Sequence, residues 1–266
     1  MKVFCVLNRK GGTGKTTLSV NVSAILSSKE FSEKMIKKES ALPYKVLVVD
    51  LDAQGNATGT LQAAYKNKPS LYDVLVGKTD IRSAIHQSPF DNLDVLQSNL
   101  ELDLAEEKLQ TFTAKEFILR RKLEEIKDEY DYVFLDCPPG KSVLTTNALT
   151  ASDFVLIPVE ATKYALDGIN MMSAFISEVQ SKYNVGLKVA GVVIIKKERS
   201  SAQDGYAAVI RECLPYHVCN QVIRKSTIAE QSIASNTPLF YYYKSAGITQ
   251  DFIALTKEIH YIAEEA

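Results

Sequence analysis

The sequence predicts an α/β fold, in which a single domain is built on a doubly wound, mostly parallel sheet flanked by helices. Three observations indicate this fold. Short apolar runs recur along the chain, and strands that helices cover on both faces lose the alternation of polar and apolar residues. Amphipathic segments of helical length lie between these runs. A glycine-rich loop joins the first run to the first helical segment, as expected where a strand leads into a phosphate-binding helix.

The strands and helices are predicted in order along the chain. The apolar runs that predict strands are Val3–Leu7, Val46–Val49, Leu93–Leu96, Tyr132–Leu135, Phe154–Val159, Val189–Ile195 and a weaker seventh, His217–Val222. The predicted helices are Thr16–Ser28, Ala114–Tyr130, Tyr164–Tyr183, Asp204–Cys213 and Ile248–Ala263. The charged segment Ser27–Tyr44 predicts a solvated helix extension followed by a loop.

The composition is that of a globular protein. The chain has 266 residues, of which 46% are hydrophobic and 24% are charged, and its formal net charge is −1. These values exclude a disordered chain, a coiled coil and a globally basic nucleic-acid binder, but they leave a locally basic face open. No low-complexity linker divides the chain, so residues 1–266 are predicted to form one domain.

The cysteines and the N-terminal residues bear on the cellular compartment. Four cysteines occur without a C-x-x-C pair, which argues against a zinc ribbon or a thioredoxin-like site. The apolar run Val3–Leu7 is too short for a signal peptide or a membrane span. We therefore expect a cytoplasmic protein with reduced thiols.

The strongest motif is the loop Lys10–Thr17, which follows the first strand and opens the first helix. Its glycines allow backbone amides to surround an anion, Lys15 is expected to reach the β- and γ-phosphates of a nucleotide, and Thr16 to bind Mg²⁺. The predicted nucleotide-binding residues are Lys10, Gly11, Gly12, Thr13, Gly14, Lys15, Thr16 and Thr17. The loop departs from the ordinary P-loop pattern because Arg9 replaces its first glycine. Lys10 is an additional lysine, which either is idle or reaches a nucleotide in a second subunit.

Two further strands end in carboxylates. Asp136 follows Tyr132–Leu135, and Asp50 and Asp52 follow Val46–Val49. Carboxyl ends of parallel strands meet at the ligand-binding edge of an open sheet, so Asp136 is predicted to hold the metal. Asp50 and Asp52 could orient an attacking water and support the metal ligands. Solvated or helix-capping aspartates are the alternative for Asp50 and Asp52.

Together these segments resemble the ParA-type (Soj-like) partition ATPases of the deviant Walker A class, which also contains MinD and the nitrogenase iron protein. The likeness continues beyond the loop and the two acidic strand ends and touches most of residues 2–262. It is carried by Lys10–Thr17, Asp50–Asn56, Asp136–Gly140, Leu96–Leu102, Thr146–Leu149, Ile157–Gly168 and Tyr241–Gly247.

This resemblance implies a P-loop NTPase fold, ATP and Mg²⁺ as ligands, and ATP hydrolysis that is weak without a partner. It implies that ATP forms a sandwich homodimer in which Lys10 crosses to the other subunit. Lys10, Lys15 and Asp52 are then the catalytic residues. Thr16 and Asp136 hold Mg²⁺, and Asp50 lies next to these ligands without binding the ion itself. It also implies a ParB-class partner that stimulates hydrolysis, and DNA bound without sequence preference.

A basic stretch near the end of the chain is the candidate DNA-binding region. The stretch from Lys196 to Lys225 contains six cations and three carboxylates, which gives a local charge of +3. Such a run is usually a solvated face. The resemblance favours DNA contacts, and the candidates are Arg224, Lys225, Arg211, Lys196, Lys197 and Arg199. No helix-turn-helix domain is expected before the first strand, so site-specific DNA binding is not expected.

Two alternatives remain open at this point. One is a MinD-like, membrane-associated positioning ATPase, and the other is a metabolic ATP-dependent enzyme of the same class. The segment from Gln250 to Ala266 has a net charge of −3, which anionic lipid would repel. We therefore predict no membrane partner and a nucleoid-associated, cytoplasmic protein.

Overall fold

A computed structural model describes residues 1–35, 42–65 and 67–265. The described chain contains seven strands: β1 (Lys2–Val6), β2 (Val46–Asp50), β3 (Ile85–Gln87), β4 (Leu93–Leu96), β5 (Tyr132–Asp136), β6 (Phe154–Glu160) and β7 (Lys188–Ile195). They form one sheet in the order β3-β4-β2-β5-β1-β6-β7. All neighbouring pairs are parallel except β3 and β4, which are antiparallel. The predicted α/β class and mostly parallel sheet are confirmed.

Helices cover both faces of the sheet. In chain order they are α1 (Lys15–Leu26), α2 (Asn56–Thr60), α3 (Leu71–Leu75), α4 (Ile81–Ala84), α5 (Leu102–Leu109), α6 (Ile118–Glu124), α7 (Val143–Ala151), α8 (Ala165–Lys182), α9 (Ser201–Cys213), α10 (Thr227–Ala234), α11 (Leu239–Tyr242) and α12 (Gly247–Glu265). A π-helical turn, Phe31–Met35, follows α1, and a 3₁₀ turn, Lys115–Phe117, precedes α6.

The strand side chains divide between two buried cores, one on each face of the sheet. In β1, Val3 and Cys5 enter one core, whereas Phe4 and Val6 enter the other. Successive side chains of a strand point to opposite faces, and here both faces are apolar because helices cover both. This double coverage is the physical reason why the strands appear in the sequence as continuous apolar runs.

Two predicted elements differ from the structure. In addition, the strand β3 is not predicted by the sequence, because it has only three residues and two of them, His86 and Gln87, are polar. The weak run His217–Val222 is wrong as a strand, since it joins β7 only through an isolated bridge between Val192 and Val218. The long helix predicted over Ala114–Tyr130 is broken, because Ala114 adopts a left-handed backbone with φ 51° and α6 ends at Glu124.

The charged segment Ser27–Tyr44 is described only in part. Its beginning contains the π-helical turn, in which Phe31 is buried rather than solvated. Residues 36–41 lie outside the described residues, so the prediction of a solvated loop stays a prediction there.

The order of the strands places the loop and the acidic residues together. β1 is hydrogen-bonded to both β5 and β6, and β2 lies on the other side of β5. These four central strands are parallel, so their carboxyl ends open on one edge of the sheet. Ligands of open α/β sheets bind at that edge, where the order of the strands reverses.

A candidate nucleotide site at the carboxyl edge of the sheet

The loop between β1 and α1 is shaped for an anion. Gly12 and Gly14 have φ values of 72° and 73°, in the left-handed region that favours glycine. A Cβ added at Gly14 would lie 2.4 Å from Cδ1 of Ile195, so a side chain is excluded there. Gly14 also begins α1 without capping its amides through a side chain. The positive end of α1 therefore faces the loop with free backbone donors, the arrangement that binds phosphate.

The two lysines of this loop differ in burial. Lys15 is buried, with 7% of its surface exposed, and its Nζ lies 3.4 Å from the carbonyl oxygen of Lys10. Burial lowers the pKa of Lys15, and the nearby Asp136 carboxylate opposes that shift. Lys10 is exposed, and no described residue pairs with its amine. The structure thus separates an inward lysine, suited to phosphate, from an outward lysine that is available to another molecule.

Asp136 is the carboxylate closest to the loop. It is fully buried and accepts hydrogen bonds from Thr16 Oγ1 at 2.7 Å and from Ser19 Oγ at 3.0 Å. Burial raises the pKa of Asp136 to about 7, the neighbouring Asp50 carboxylate adds to the rise, and the two hydroxyl hydrogen bonds oppose it. A buried carboxylate whose ionised form is this unfavourable is stabilised when a cation binds beside it.

Asp50 is equally buried but is held by protein donors. Its Oδ2 accepts from both the backbone N and the Oγ1 of Thr58 at 2.8 Å, and its Oδ1 accepts from the Asp52 backbone N at 3.2 Å. Burial raises the pKa of Asp50 to about 6 against these hydrogen bonds. Its oxygens are thus occupied by donors of the loop after β2 and of α2, and its role behind the metal ligands stays a prediction.

Asp52 is only partly buried and lines the same cavity as Lys15 and Thr16. Its Oδ1 accepts from the Gln54 backbone N at 3.0 Å, which holds the turn that leads into α2. Its second oxygen is not engaged by a described residue. The geometry thus places a carboxylate oxygen at the wall of the cavity that the phosphate loop also lines.

The cavity has a volume of about 530 Å³ and two unlike walls. The polar wall is the glycine-rich loop with Asp52. The apolar wall comes from α1, β7, α10, α12 and the segment between α9 and α10, and its residues are Val20, Ile195, Ile223, Ala229, Ile233, Ile248 and Phe252. A polar, cationic end beside an apolar end suits a ligand that combines phosphates with an aromatic base.

The residues around Asp136 also fit a magnesium ion. Thr16 supplies a hydroxyl and Asp136 a carboxylate, and oxygen donors of this kind are those that Mg²⁺ prefers. The pKa of the buried Asp136 is raised, so a bound cation would stabilise its ionised form. Thr16 and Asp136 are therefore the residues that would hold the ion.

Comparison with known proteins agrees with this geometry. A family model described as an AAA domain matches residues 1–189. The sporulation initiation inhibitor protein Soj of Bacillus subtilis is 33% identical over 262 residues, which cover 97% of this chain and 98% of Soj. The chromosome partitioning protein ParA of Caulobacter vibrioides is 30% identical and covers 97% of this chain and 94% of its own length.

The chain belongs to the ParA/Soj family of partition ATPases.

One solved structure extends the comparison to the bound ligands. Cobyrinic acid a,c-diamide synthase from Mycobacterium smegmatis, crystallised with ADP and magnesium, superposes with a TM-score of 0.76 and 28% identity over 92% of this chain and 96% of its own. The predictions of a P-loop NTPase fold and of ATPase activity in this ParA/Soj protein are confirmed. No helix among the described residues is long and apolar enough to cross a membrane.

The basic residues predicted for DNA do not form one unpaired face in this ParA/Soj chain. Lys196 lies at the phosphate loop, where its Nζ donates to the Gly12 carbonyl oxygen at 2.5 Å and pairs with Glu160 at 3.0 Å. Arg211, on α9, donates to the carbonyl oxygens of Val218 and Asn220. These two cations hold local structure, each at a different place.

The other four candidates line one surface hollow. Lys197 pairs with Asp204 at 2.6 Å, Lys225 with Glu198 at 2.5 Å, and Arg224 binds Asp251 through two hydrogen bonds of 2.6 and 2.7 Å. Arg199 has no ion-pair partner among the described residues. The hollow also contains Glu230, so four cations face four carboxylates. The local excess of positive charge in the sequence is thus neutralised in the fold, because Asp251 and Glu230 come from outside the basic stretch.

Several residues that shape the site were not predicted from the sequence. Ser19 holds Asp136, Thr58 holds Asp50, and Asn8 fixes the loop by accepting from the Lys10 backbone N at 3.0 Å and donating to the Pro158 carbonyl oxygen at 2.7 Å. Ser19 could have been found, since it lies three residues after Thr16 on the same face of α1. Asn8 and Thr58 carry no comparable pattern, and the apolar wall is assembled from distant segments.

Proposed function

We propose that this protein is a DNA-partition ATPase in which binding of Mg-ATP at the carboxyl edge closes a homodimer that binds DNA without sequence preference. A ParB-class partner then stimulates hydrolysis and releases the dimer. We propose that residues 1–266 act in this as a single domain. The relatives named for chromosome partitioning and the ADP- and magnesium-bound synthase support the ligands and the process proposed here.

The different burial of Lys10 and Lys15 carries the proposal. Lys15 faces inward beside Asp136 and is placed to clamp the β- and γ-phosphates, while the exposed amine of Lys10 leaves the loop on its outer side. A cation at that position is available to phosphates held by a second copy of the chain. ATP is then a switch as well as a substrate, because its γ-phosphate favours the closed assembly over the open one.

Hydrolysis requires a group that orients water, and Asp52 is proposed for it. Its carboxylate lines the same cavity as the loop and keeps one oxygen unengaged by described residues. Thr16 and Asp136 hold the metal side, and Asp50 keeps the ends of β2 and β5 in place. When bound, magnesium would neutralise charge on the phosphate oxygens.

The DNA contacts are proposed for the surface hollow at Arg224, Lys225, Lys197 and Arg199. The Lys225–Glu198 pair is about half exposed on both sides. Exposed ion pairs contribute little stability, so a phosphate of DNA can replace Glu198 as the partner of Lys225. Arg224 is also more than half exposed, but its partner Asp251 is buried, so Arg224 is proposed to contact phosphate while it stays paired with Asp251. Lys196 and Arg211 act locally in this proposal, at the loop and on α9.

Retention on DNA tests the proposal. Purified protein is passed over two immobilised duplexes of unrelated sequence with Mg-ATP, Mg-ADP or no nucleotide, and its oligomeric state is measured by sedimentation under the same conditions. We expect dimers and retention with Mg-ATP alone, and equal retention on both sequences, because phosphate contacts carry no base information.

Two results would count against it. Binding to anionic vesicles with Mg-ATP, in the absence of DNA retention, would support the membrane-associated alternative. Fast ATP turnover on a small substrate, without dimer formation or DNA binding, would support a metabolic enzyme of the kind that the similar synthase represents.

A further inference from the structure

Three potential metal ligands meet on the side of the sheet where α12 packs. They are His217, Cys219 and Glu258, and one ligand atom of each lies within 4.8 Å of the other two. Among the described residues no other group of three or more His, Cys, Asp or Glu side chains meets this condition. None of the three lines the nucleotide cavity.

The backbone holds the first two ligands on the same side. The Val192 N donates to the His217 carbonyl oxygen, and the Cys219 N donates to the Val192 carbonyl oxygen, both at 2.9 Å. This bridge to β7 keeps residues 217–219 extended, and alternate side chains of an extended segment point the same way. Gly191 leaves the room that the thiol needs, since a Cβ there would lie 2.6 Å from Cys219 Sγ.

The third ligand is fixed by backbone donors. Glu258, on α12, accepts from the Asn220 N at 2.7 Å through Oε1 and from the Gln221 N at 3.1 Å through Oε2. Its Oε1 also lies 3.0 Å from His217 Nε2. Outer hydrogen bonds of this kind orient carboxylate ligands in metal sites.

The thiol of Cys219 lies at the edge of the core on the α12 side of the sheet. Cys219 is fully buried beside Glu258 and His217, and its Sγ makes no hydrogen bond with a described residue. Burial, with a smaller contribution from the Glu258 carboxylate, raises the pKa of Cys219 to about 12, so the metal-free thiol carries its proton.

We propose that His217 Nε2, Cys219 Sγ and a Glu258 carboxylate oxygen form a Zn²⁺ site, with water in the fourth position. Imidazole, thiolate and carboxylate are the ligands that zinc uses, at about 2.0–2.3 Å. On binding, the thiol proton leaves to solvent and the imidazole keeps a proton on Nδ1 only. His217 is exposed and rotates to bring its nitrogen in, and its exposure opens the fourth position to water.

Such an ion would join the segment 217–221 to α12. The chain that continues from this segment contacts α12 again at Arg224, which binds Asp251. Asp251 lies seven residues before Glu258, on the same face of α12. A ligand that binds only the folded state stabilises it. The expected role is therefore to fix the segment that carries Arg224 to the rim of the nucleotide cavity.

Cobalt absorption tests the site in the full chain. Protein freed of metal with a chelator, and kept in excess Mg²⁺ to occupy oxygen-only sites, is titrated with Co²⁺. We expect tetrahedral visible bands and a near-ultraviolet band of thiolate-to-cobalt charge transfer that saturate at one equivalent and are abolished by stoichiometric Zn²⁺. Cys219→Ser should remove the charge-transfer band, and His217→Ala should weaken Co²⁺ binding at least about tenfold.

Two matched cysteine variants serve as controls. Cys213→Ser alters an exposed thiol on α9 and Cys137→Ser a buried thiol next to Asp136, and both should keep the band. Zn²⁺ should also raise the melting temperature of the wild type and not that of Cys219→Ser, whose metal-free melting temperature shows whether it folds. Absence of the band in the wild type, its survival in Cys219→Ser, or its loss in Cys137→Ser would each overturn the proposal.

Discussion

Asp50 and Asp136 lie directly opposite each other on neighbouring parallel strands, and both carboxylates are fully buried. Each is satisfied differently: Asp50 by the backbone and hydroxyl of Thr58, and Asp136 by the hydroxyls of Thr16 and Ser19. Burial raises the pKa of both acids, and the Asp50 carboxylate raises that of Asp136 further, because a second negative charge is unfavourable next to the first. We therefore expect the stability of the nucleotide-free protein to depend on pH.

The first prediction concerns stability against pH without nucleotide. The folded pKa values of Asp136 and Asp50, about 7 and about 6, lie above the unfolded value of about 3.9. The two protonated acids contribute fully to the free energy of unfolding below pH of about 4. This contribution is lost as the pH rises to about 7, since the unfolded chain releases these protons first.

The comparison of the wild type with Asp136→Asn isolates this effect. The variant resembles the protonated acid, so its stability relative to the wild type should increase between pH of about 4 and 7, by an amount on the order of 2 kcal/mol. Urea unfolding at a series of pH values measures it. Parallel curves for the two proteins would show that Asp136 is ionised throughout.

Lys15→Ala should abolish ATP binding within the range of the assay. The variant removes the buried ammonium that clamps the phosphates and leaves Asp136 without its nearest cation. Binding of a fluorescent ATP analogue measures the effect, and the melting temperature without nucleotide checks that the variant folds. Wild-type affinity in a folded variant would show that the site is elsewhere.

Lys10→Ala should retain ATP binding but lose ATP-driven dimerisation and most of the hydrolysis. The amine is exposed and outside the cavity of its own subunit, so its loss does not disturb that subunit's phosphate contacts. Sedimentation with Mg-ATP gives the oligomeric state. Arg9→Ala, an exposed neighbour, is the matched control and should dimerise normally. A normal ATP dimer of Lys10→Ala would remove the role across subunits.

Asp52→Ala should bind ATP, form the dimer and hydrolyse slowly, by roughly a hundredfold, as expected when a water-orienting group is removed. The side chain faces the cavity but holds neither Lys15 nor Thr16. Single-turnover hydrolysis measures the chemical step, and Asp103→Ala, which alters an exposed acid on α5, is the control. Full activity of Asp52→Ala would transfer the role to another residue.

Arg224→Ala should weaken DNA retention and make the slope of log affinity against log salt shallower by about 0.9 per lost phosphate contact. It acts twice in a symmetric dimer, so the change can reach about two contacts. Arg224 also neutralises the buried Asp251, and an unpaired buried carboxylate is destabilising.

Asp251→Asn therefore separates the two roles of Arg224. It releases the guanidinium and should strengthen DNA retention, whereas Arg224→Ala/Asp251→Asn should restore stability without restoring DNA binding. If Arg224→Ala loses ATP binding first, Arg224 serves the nucleotide cavity that it also lines. An unchanged salt slope in a variant that still forms the dimer would remove Arg224 from the DNA contacts. The other cations of the surface hollow would then remain as candidates.

Features that depend on neighbours in the chain could be predicted from the sequence. The six principal strands follow from short apolar runs, since the pleat and the helices on both faces require them. The phosphate loop and the acidic ends of β2 and β5 follow from glycine geometry and from the rule that parallel strands end at one edge. The family likeness then assigned the lysines their separate roles, and the fold and the ATPase class were confirmed.

Features that depend on residues far apart in the chain required the folded structure. The basic stretch looked positive because its balancing acids, Asp251 and Glu230, come from later helices, and only packing brings them into one hollow. The apolar wall of the cavity and the meeting of His217 and Cys219 with Glu258 have the same origin. Ion pairs and metal coordination depend on distances of a few ångströms in space. The separation of two residues along the chain does not reveal that distance.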